Sequence, residues 1–155
     1  MSRKEDYERM DTNKYLNLNL KTDGLPLPDI NAQFIEFFHR MDYKWWRDVE
    51  EGDVVVDIGA CVGFFVCHAL DRKASRVFAI EPSRPHLKTL IQNISDHYID
   101  NSTTPVIPIE AGIGSTSNHF NNVFSEYSDF KRMSFLDLVV DYNIPKIDYL
   151  KIDCE

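Results

Sequence analysis

The stretch Val54 to Gly63, Val-Val-Val-Asp-Ile-Gly-Ala-Cys-Val-Gly, constrains this chain more than any other. Three β-branched residues run into Asp57 with no polar alternation, the pattern of a strand buried on both faces of a parallel sheet. A turn built on Gly59 and Gly63 follows, and Phe64-Phe65-Val66 then opens a helix. Such a turn aims backbone N–H groups and the positive end of a helix dipole at one place, where a nucleotide-like ligand can sit. The order of residues narrows the ligand. Asp57-x-Gly59-x-x-x-Gly63 puts the acid before the first glycine, unlike the Gly-x-Gly-x-x-Gly of dinucleotide sites. An acidic residue on the turn repels phosphate and suits a cationic group.

The rest of the chain reads as alternating strands and helices. Residues 1–23 are polar, with an edge strand expected at 15–21, and the proline-rich 24–28 connects to a helix over 31–41. Phe34, Phe37, Phe38 and Met41 share one face of that helix, and Tyr43, Trp45 and Trp46 extend it, which predicts an aromatic lid. After the first strand, 54–58, a helix is expected to about residue 70, then a strand at 76–80 ending in Glu81-Pro82-Ser83. Glu81 lies 18 residues beyond Gly63, close to where an acid after the second strand reaches ribose hydroxyls. A carboxylate accepts both hydrogen bonds of a diol.

A helix over 84–99 carries the stripe Leu87, Leu90, Ile91, Ile94 and Tyr98. His86 and His97 on it read as surface residues. The third strand, 106–110, contains Pro108 and is therefore expected at a sheet edge. The small residues Ala111-Gly112 after it suit close approach of an adenine ring. Residues 115–131 read as a long loop or β-excursion. Ser134-x-x-Asp137 opens a short helix with a capping box, and 147–153 reads as a fourth strand.

Alternating elements predict an α/β, Rossmann-like, doubly wound and mainly parallel sheet with helices on both faces and strand order 3-2-1-4. The carboxyl end of the first strand is then a topological switch point, where open α/β sheets bind ligands. Asp57 to Gly63, Glu81, Ala111 and Asp153 all reach that edge. The formal net charge of −8 lacks the basic footprint of a general nucleic-acid binder. Cys61, Cys67 and Cys154 form neither a metal nor a disulfide spacing and read as reduced thiols of a cytoplasmic chain. No signal peptide or membrane span is expected.

Gly52 to Gly63 resembles the first motif of S-adenosylmethionine-dependent methyltransferases, closest to the FkbM family. Val77-Phe78-Ala79-Ile80-Glu81-Pro82-Ser83 with a helix reaching Asn93 is similar to that family's second block. Ser134-Phe135-Leu136-Asp137, leading to Asp148-Tyr149-Leu150-Lys151-Ile152-Asp153-Cys154-Glu155, resembles its third. The resemblance implies methyl transfer from S-adenosylmethionine to a hydroxyl of a sugar or other small metabolite. It implies that Gly59, Ala60 and Gly63 hold the methionine moiety, that Glu81 binds the ribose and that Asp153 faces the reaction centre. Asp57, Cys61, Pro82, Ser83 and Ala111 complete the candidate cofactor site, Asp153 or Glu155 is the candidate base, and no metal is expected. The resemblance divides the chain into an N-terminal segment, 1–51, and a methyltransferase domain, 52–155. Cys61 stands where the family usually has Asn. The family's domain has seven strands and this reading finds four, so the chain reads as C-terminally truncated, with a fourth-strand edge open to self-association. A cofactor-binding or interaction module of weak activity is the alternative. A nicotinamide oxidoreductase conflicts with the acid before the glycines.

Overall fold

The computed structural model describes residues 21, 47–98, 105–114 and 131–153. Its frame is a four-stranded parallel sheet. Strand β1, Val54–Ile58, is buried along its whole length. It pairs in parallel with β2, Arg76–Ile80, on one side and with β6, Tyr149–Ile152, on the other. Strand β3, Val106–Ile109, lies outside β2, giving the order β3-β2-β1-β6. This is the predicted 3-2-1-4 arrangement, with the fourth strand of the main sheet numbered β6. Pro108 falls on β3, outermost among the described strands, where a missing N–H donor is tolerated.

The alternation of side chains along β1 divides the core into two layers. On one face Val55, with Val77, Ala79 and Val106, packs against helix α1, Phe64–Asp71, and helix α2, Arg84–Tyr98, through Phe65, Val66, Ala69, Leu90 and Ile94. On the other face Val54, Val56 and Ile58, with Phe78, Ile80 and Ile109, pack against Leu138 of helix α3, Phe135–Asp141. Each layer is continuous, so apolar burial holds helices on both sides of one sheet. Val49 belongs to the first layer as well and is 1% exposed.

Local chemistry sets the helix boundaries. Ser134 caps α3: its hydroxyl accepts from the Asp137 N–H, and the Asp137 carboxylate accepts in return from the Ser134 N–H, the capping box read from the sequence. The α2 stripe is narrower than expected. Leu87, Leu90 and Ile94 are buried, but Ile91 sits beside the stripe and is exposed.

Two further departures are structural. The fourth predicted strand, 147–153, is laddered only over Tyr149–Ile152, although Asp148 and Asp153 still donate their N–H groups to the Val54 and Ile58 carbonyls at 2.9 and 3.0 Å. A small parallel pair, β4, Gly112–Ile113, and β5, Arg132–Met133, stands apart from the main sheet. The expected helix over 31–41 with its aromatic lid, residues 115–130, Cys154 and Glu155 lie outside the described residues. So does all of the expected edge strand except Lys21.

Candidate functional site

The turn after β1 is gripped by its own protein on every side. The amides of Gly59 and Ala60 both donate to the Ile80 carbonyl at 3.0 Å, and that of Gly63 donates to the Ala60 carbonyl at 2.9 Å. The Cys61 amide donates to Glu81 Oε2 at 2.9 Å. Two carbonyls of the turn are also held: Gly59 O accepts from Lys151 Nζ at 3.1 Å, and Val62 O accepts from Asn93 Nδ2 at 2.9 Å. Glu81, Lys151 and Asn93 are all buried and come from three different elements.

This wiring changes what the glycines do. Four of the amides that the turn aims at a nucleotide-like ligand are engaged inside the protein. Gly63 has φ +92, and a Cβ there would meet Leu90 Cγ at 2.9 Å. Its missing side chain is therefore required by α2 packing. Gly59 and Cys61 also take positive φ, 83 and 49 degrees. The turn is tight, preformed and poor in free donors, a setting that favours cations over phosphate.

Asp57 lies beneath this turn. Its side chain is fully buried, and Oδ1 accepts from Lys151 Nζ at 2.9 Å. Oδ2 has no hydrogen-bond partner among the described residues. Burial pushes the Asp57 carboxyl above its usual range, and the Lys151 ammonium opposes that rise. Lys151 stands directly opposite Asp57 in the β1–β6 register. Its ammonium also lies over the Phe65 ring at 5.8 Å and 3.9 Å from Asp153 Oδ2. A lysine on a strand does not by itself announce such a role. The signal was alternation: Tyr149, Lys151 and Asp153 share one side of β6, and that side faces α1.

Glu81 is 6% exposed. Its Oε1 accepts from the Ser83 N–H at 2.8 Å while Oε2 holds Cys61. A carboxylate has about four acceptor positions, so two bonds to the backbone fix its orientation and leave capacity for a ligand diol. His86, expected at the surface, is instead half-buried at the start of α2. Its Nδ1 lies 3.8 Å from Glu81 Oε1 and 3.9 Å from Cys61 Sγ. Ser83 is buried and Pro82 half-buried between them. Ala111 is fully buried in the second core layer. Asp153 stands at the end of β6 with its side chain 47% exposed.

The carboxyl ends of β1, β2 and β6 thus bring together the Asp57–Gly63 turn, Glu81 and Asp153 at the switch point of an open parallel sheet. Fold and edge chemistry define a nucleoside-binding α/β domain of the methyltransferase type. The chain belongs to the methyltransferase FkbM domain family, whose family model matches residues 57–155. Solved structures with a similar fold include a candidate S-adenosylmethionine-dependent methyltransferase from Listeria monocytogenes. It is 17% identical with a TM-score of 0.37, over 46% of this chain and 30% of that one. A candidate RNA methyltransferase from Pyrococcus horikoshii is 21% identical with a TM-score of 0.44, over 66% and 58%. A candidate rRNA methylase from Clostridium thermocellum is 20% identical with a TM-score of 0.37, over 55% and 41%. This chain therefore spans less than two thirds of the length of each. No curated protein matches it.

S-adenosylmethionine is the cofactor of this family, and the residues present fit it. The edge offers the carboxylates of Glu81 and Asp153 and a turn whose amides are already engaged. Beneath them lies an unpaired oxygen of Asp57. Carboxylates attract the ammonium and sulfonium centres of such a ligand and repel a pyrophosphate.

Proposed function

We propose that this chain binds S-adenosylmethionine at the carboxyl edge of β1, β2 and β6 and methylates a hydroxyl oxygen of a small metabolite, carbohydrates included. One observation carries the cofactor assignment: Glu81, buried and held by the backbone on both oxygens, is fixed beside a turn that has no spare amides at Gly59, Ala60, Cys61 or Gly63. Glu81 takes the ribose hydroxyls, and Gly59, Ala60 and Cys61 border the methionine end. Pro82 and Ser83 form the wall towards the base, backed by the small buried Ala111.

Bound, the cofactor supplies an electrophilic methyl group on a sulfonium. The protein's share of catalysis is alignment of the acceptor oxygen with that methyl, together with acceptance of the acceptor's proton. Asp153 is the candidate base, with Glu155 as its neighbour in sequence. With the cofactor bound, Asp153 would take up the proton that the acceptor hydroxyl gives up on methylation.

The net charge of −8 weighs against a phosphate backbone as acceptor. The three cysteines, in neither a metal nor a disulfide spacing, suit a cytoplasmic setting. No helix among the described residues is long and apolar enough to cross a membrane. Leu150 and Ile152 of β6 are exposed, and this strand edge is the surface proposed for self-association.

Calorimetric titration with S-adenosylmethionine and with NAD tests the cofactor assignment. Binding of the first and not the second is expected, and binding of NAD alone overturns it. Asp153→Asn is expected to bind cofactor normally and to lose methylation of any acceptor this chain turns over. An unchanged rate removes Asp153 as base. Weak or absent turnover in the wild-type chain, with cofactor binding intact, favours the binding-module alternative.

A further inference from the structure

Asn93 is 1% exposed and sits on α2, far in sequence from everything it touches. Its Nδ2 donates to Val62 O in the turn at 2.9 Å. The same nitrogen donates to Lys21 O at 2.9 Å, and its Oδ1 accepts from the Lys21 N–H at 2.7 Å. The side-chain amide thus imitates a peptide group, pairing with both backbone groups of Lys21 as a neighbouring strand would, while its second N–H holds the turn. Only a primary amide supplies two donors and an acceptor in this geometry.

A buried amide in this position is all or nothing. If the chain at Lys21 lifts away, Oδ1 loses its donor and one N–H loses its acceptor inside an apolar layer. The side chain must then turn towards water or another partner, and the Val62 carbonyl is released with it. Val62 lies between Cys61, whose amide reports to Glu81, and Gly63, which packs under Leu90. The order of the turn is therefore tied to the seating of a residue 72 positions from Asn93 in the sequence.

We infer that Asn93 is a positioning residue that couples the backbone at Lys21 to the S-adenosylmethionine-binding turn, so that seating of the one and occupancy of the other favour each other. This rests on the cofactor reading above and adds to it a route by which the backbone at Lys21 governs affinity. Linkage makes the coupling reciprocal. Cofactor binding must slow exchange of the Lys21 amide by the same factor by which loss of that contact weakens cofactor binding.

Three variants test it. Lys21→Pro removes the single N–H that Asn93 Oδ1 accepts and leaves the carbonyl in place. Asn93→Ala removes all three bonds. Asp96→Asn is the control, because it breaks only the exposed ion pair between Asp96 and the Lys21 ammonium at 2.7 Å. Calorimetric titration with S-adenosylmethionine is expected to show affinity about tenfold weaker for Lys21→Pro, within the usual range of coupling between sites. Asn93→Ala is expected to lose at least as much, and Asp96→Asn is expected to match wild type. Hydrogen exchange on the ligand-free proteins gives a second readout, with the Cys61 and Gly63 amides exchanging faster in the first two variants. If Lys21→Pro binds cofactor with wild-type affinity and its turn exchanges at the wild-type rate, the coupling is wrong. If wild type binds no S-adenosylmethionine but the exchange pattern appears, the coupling stands and the cofactor reading falls.

Discussion

At the amino end of the sheet, acidic side chains are tied to basic side chains and to the backbone. Asp48 accepts from His68 Nε2 at 2.7 Å and pairs with Arg72 at 2.7 Å. Asp53 pairs with Arg47 and accepts from the Glu50 N–H. Asp48 retains 20% exposure and Arg72 49%. At the carboxyl end the same functional group is used differently. Asp57 is wholly buried against one ammonium with one oxygen unpaired, and Glu81 holds two backbone amides. The amino end fastens β1 to α1 through the chain that precedes it. The carboxyl end holds a turn in a fixed shape and leaves carboxylate capacity over. Carboxylates alone therefore do not mark the site. What marks it is a fully buried carboxylate with one oxygen unpaired, beneath a turn whose amides and carbonyls are already held.

Lys151→Met is the harshest way to break this comparison. It leaves Asp57 buried without its cation, and loss of one partner of a buried pair costs about 3–5 kcal/mol. Urea denaturation measures it. The pH dependence has a definite sign. Burial already raises the Asp57 carboxyl, and without Lys151 it rises further. The charge part of the variant's deficit should be largest at neutral pH, shrink as pH falls through the variant's raised value, and be gone once Asp57 is protonated in both proteins, leaving the lost Gly59 carbonyl contact. The double variant Asp57→Leu with Lys151→Met removes both charges and should recover most of the stability. It should still not bind S-adenosylmethionine, because the Gly59 carbonyl loses its partner. If the double variant binds cofactor, the pair is only a packing device, like those at the amino end.

Gly63→Ala comes next. The added Cβ meets Leu90 at 2.9 Å on a backbone with φ +92, a cost of roughly 1–3 kcal/mol. Thermal unfolding with and without S-adenosylmethionine checks it. Both stability and affinity should fall, since one residue serves packing and turn shape together. Asp48→Asn is its counterpart at the amino end. It weakens the contacts to half-exposed Arg72 and to buried His68, a loss of about 1–3 kcal/mol dominated by the buried bond. Cofactor affinity should stay at the wild-type value, and a loss of binding would show that the two ends are not independent.

How much of this could be read from the sequence follows the strength of each local signal. The three valines of β1, the stripe on α2 and the Ser134–Asp137 box each carry a periodicity or a cap, and each appears in the fold. The strands β4 and β5 are two residues each and lie on either side of residues 115–130, too short to have a period. Ile91 was placed in the stripe because i, i+3 and i+4 look alike in a sequence, yet only the arc through Leu87, Leu90 and Ile94 meets the sheet. For the site, Asp57, Glu81 and Asp153 converge as alternation required. The partners Lys151, Asn93 and His86 were hidden for a common reason. A lysine, an asparagine or a histidine on a regular element ordinarily faces water. Only the strand register and the helix packing reveal that these face inwards.

The smallest expected effect concerns a carboxylate of a third kind. Asp137 is exposed at the start of α3, where the Ser134 hydroxyl and N–H hold its carboxyl below the ordinary value of 3.8. Its sign is opposite to that of Asp57. A lowered value means stability that is present above the unfolded value and lost as pH falls through the folded one. Ser134→Ala removes the cap at a cost of about 1 kcal/mol, and the Asp137 carboxyl should return towards 3.8. An NMR titration of Asp137 with urea denaturation between pH 2 and pH 7, ~1 unit apart, checks both. The deficit of Ser134→Ala should narrow at the acid end as the Asp137 bond is lost in wild type too. The deficit of Lys151→Met should also narrow there, but because Asp57 takes up its proton. The two are separated by which carboxyl moves: Asp137 upwards on loss of its donors, Asp57 upwards on loss of its cation. A cofactor titration completes the contrast, since the cap variant should bind S-adenosylmethionine as wild type does. A pH-dependent binding defect in Ser134→Ala would mean that α3, on the opposite face of the sheet, also shapes the site.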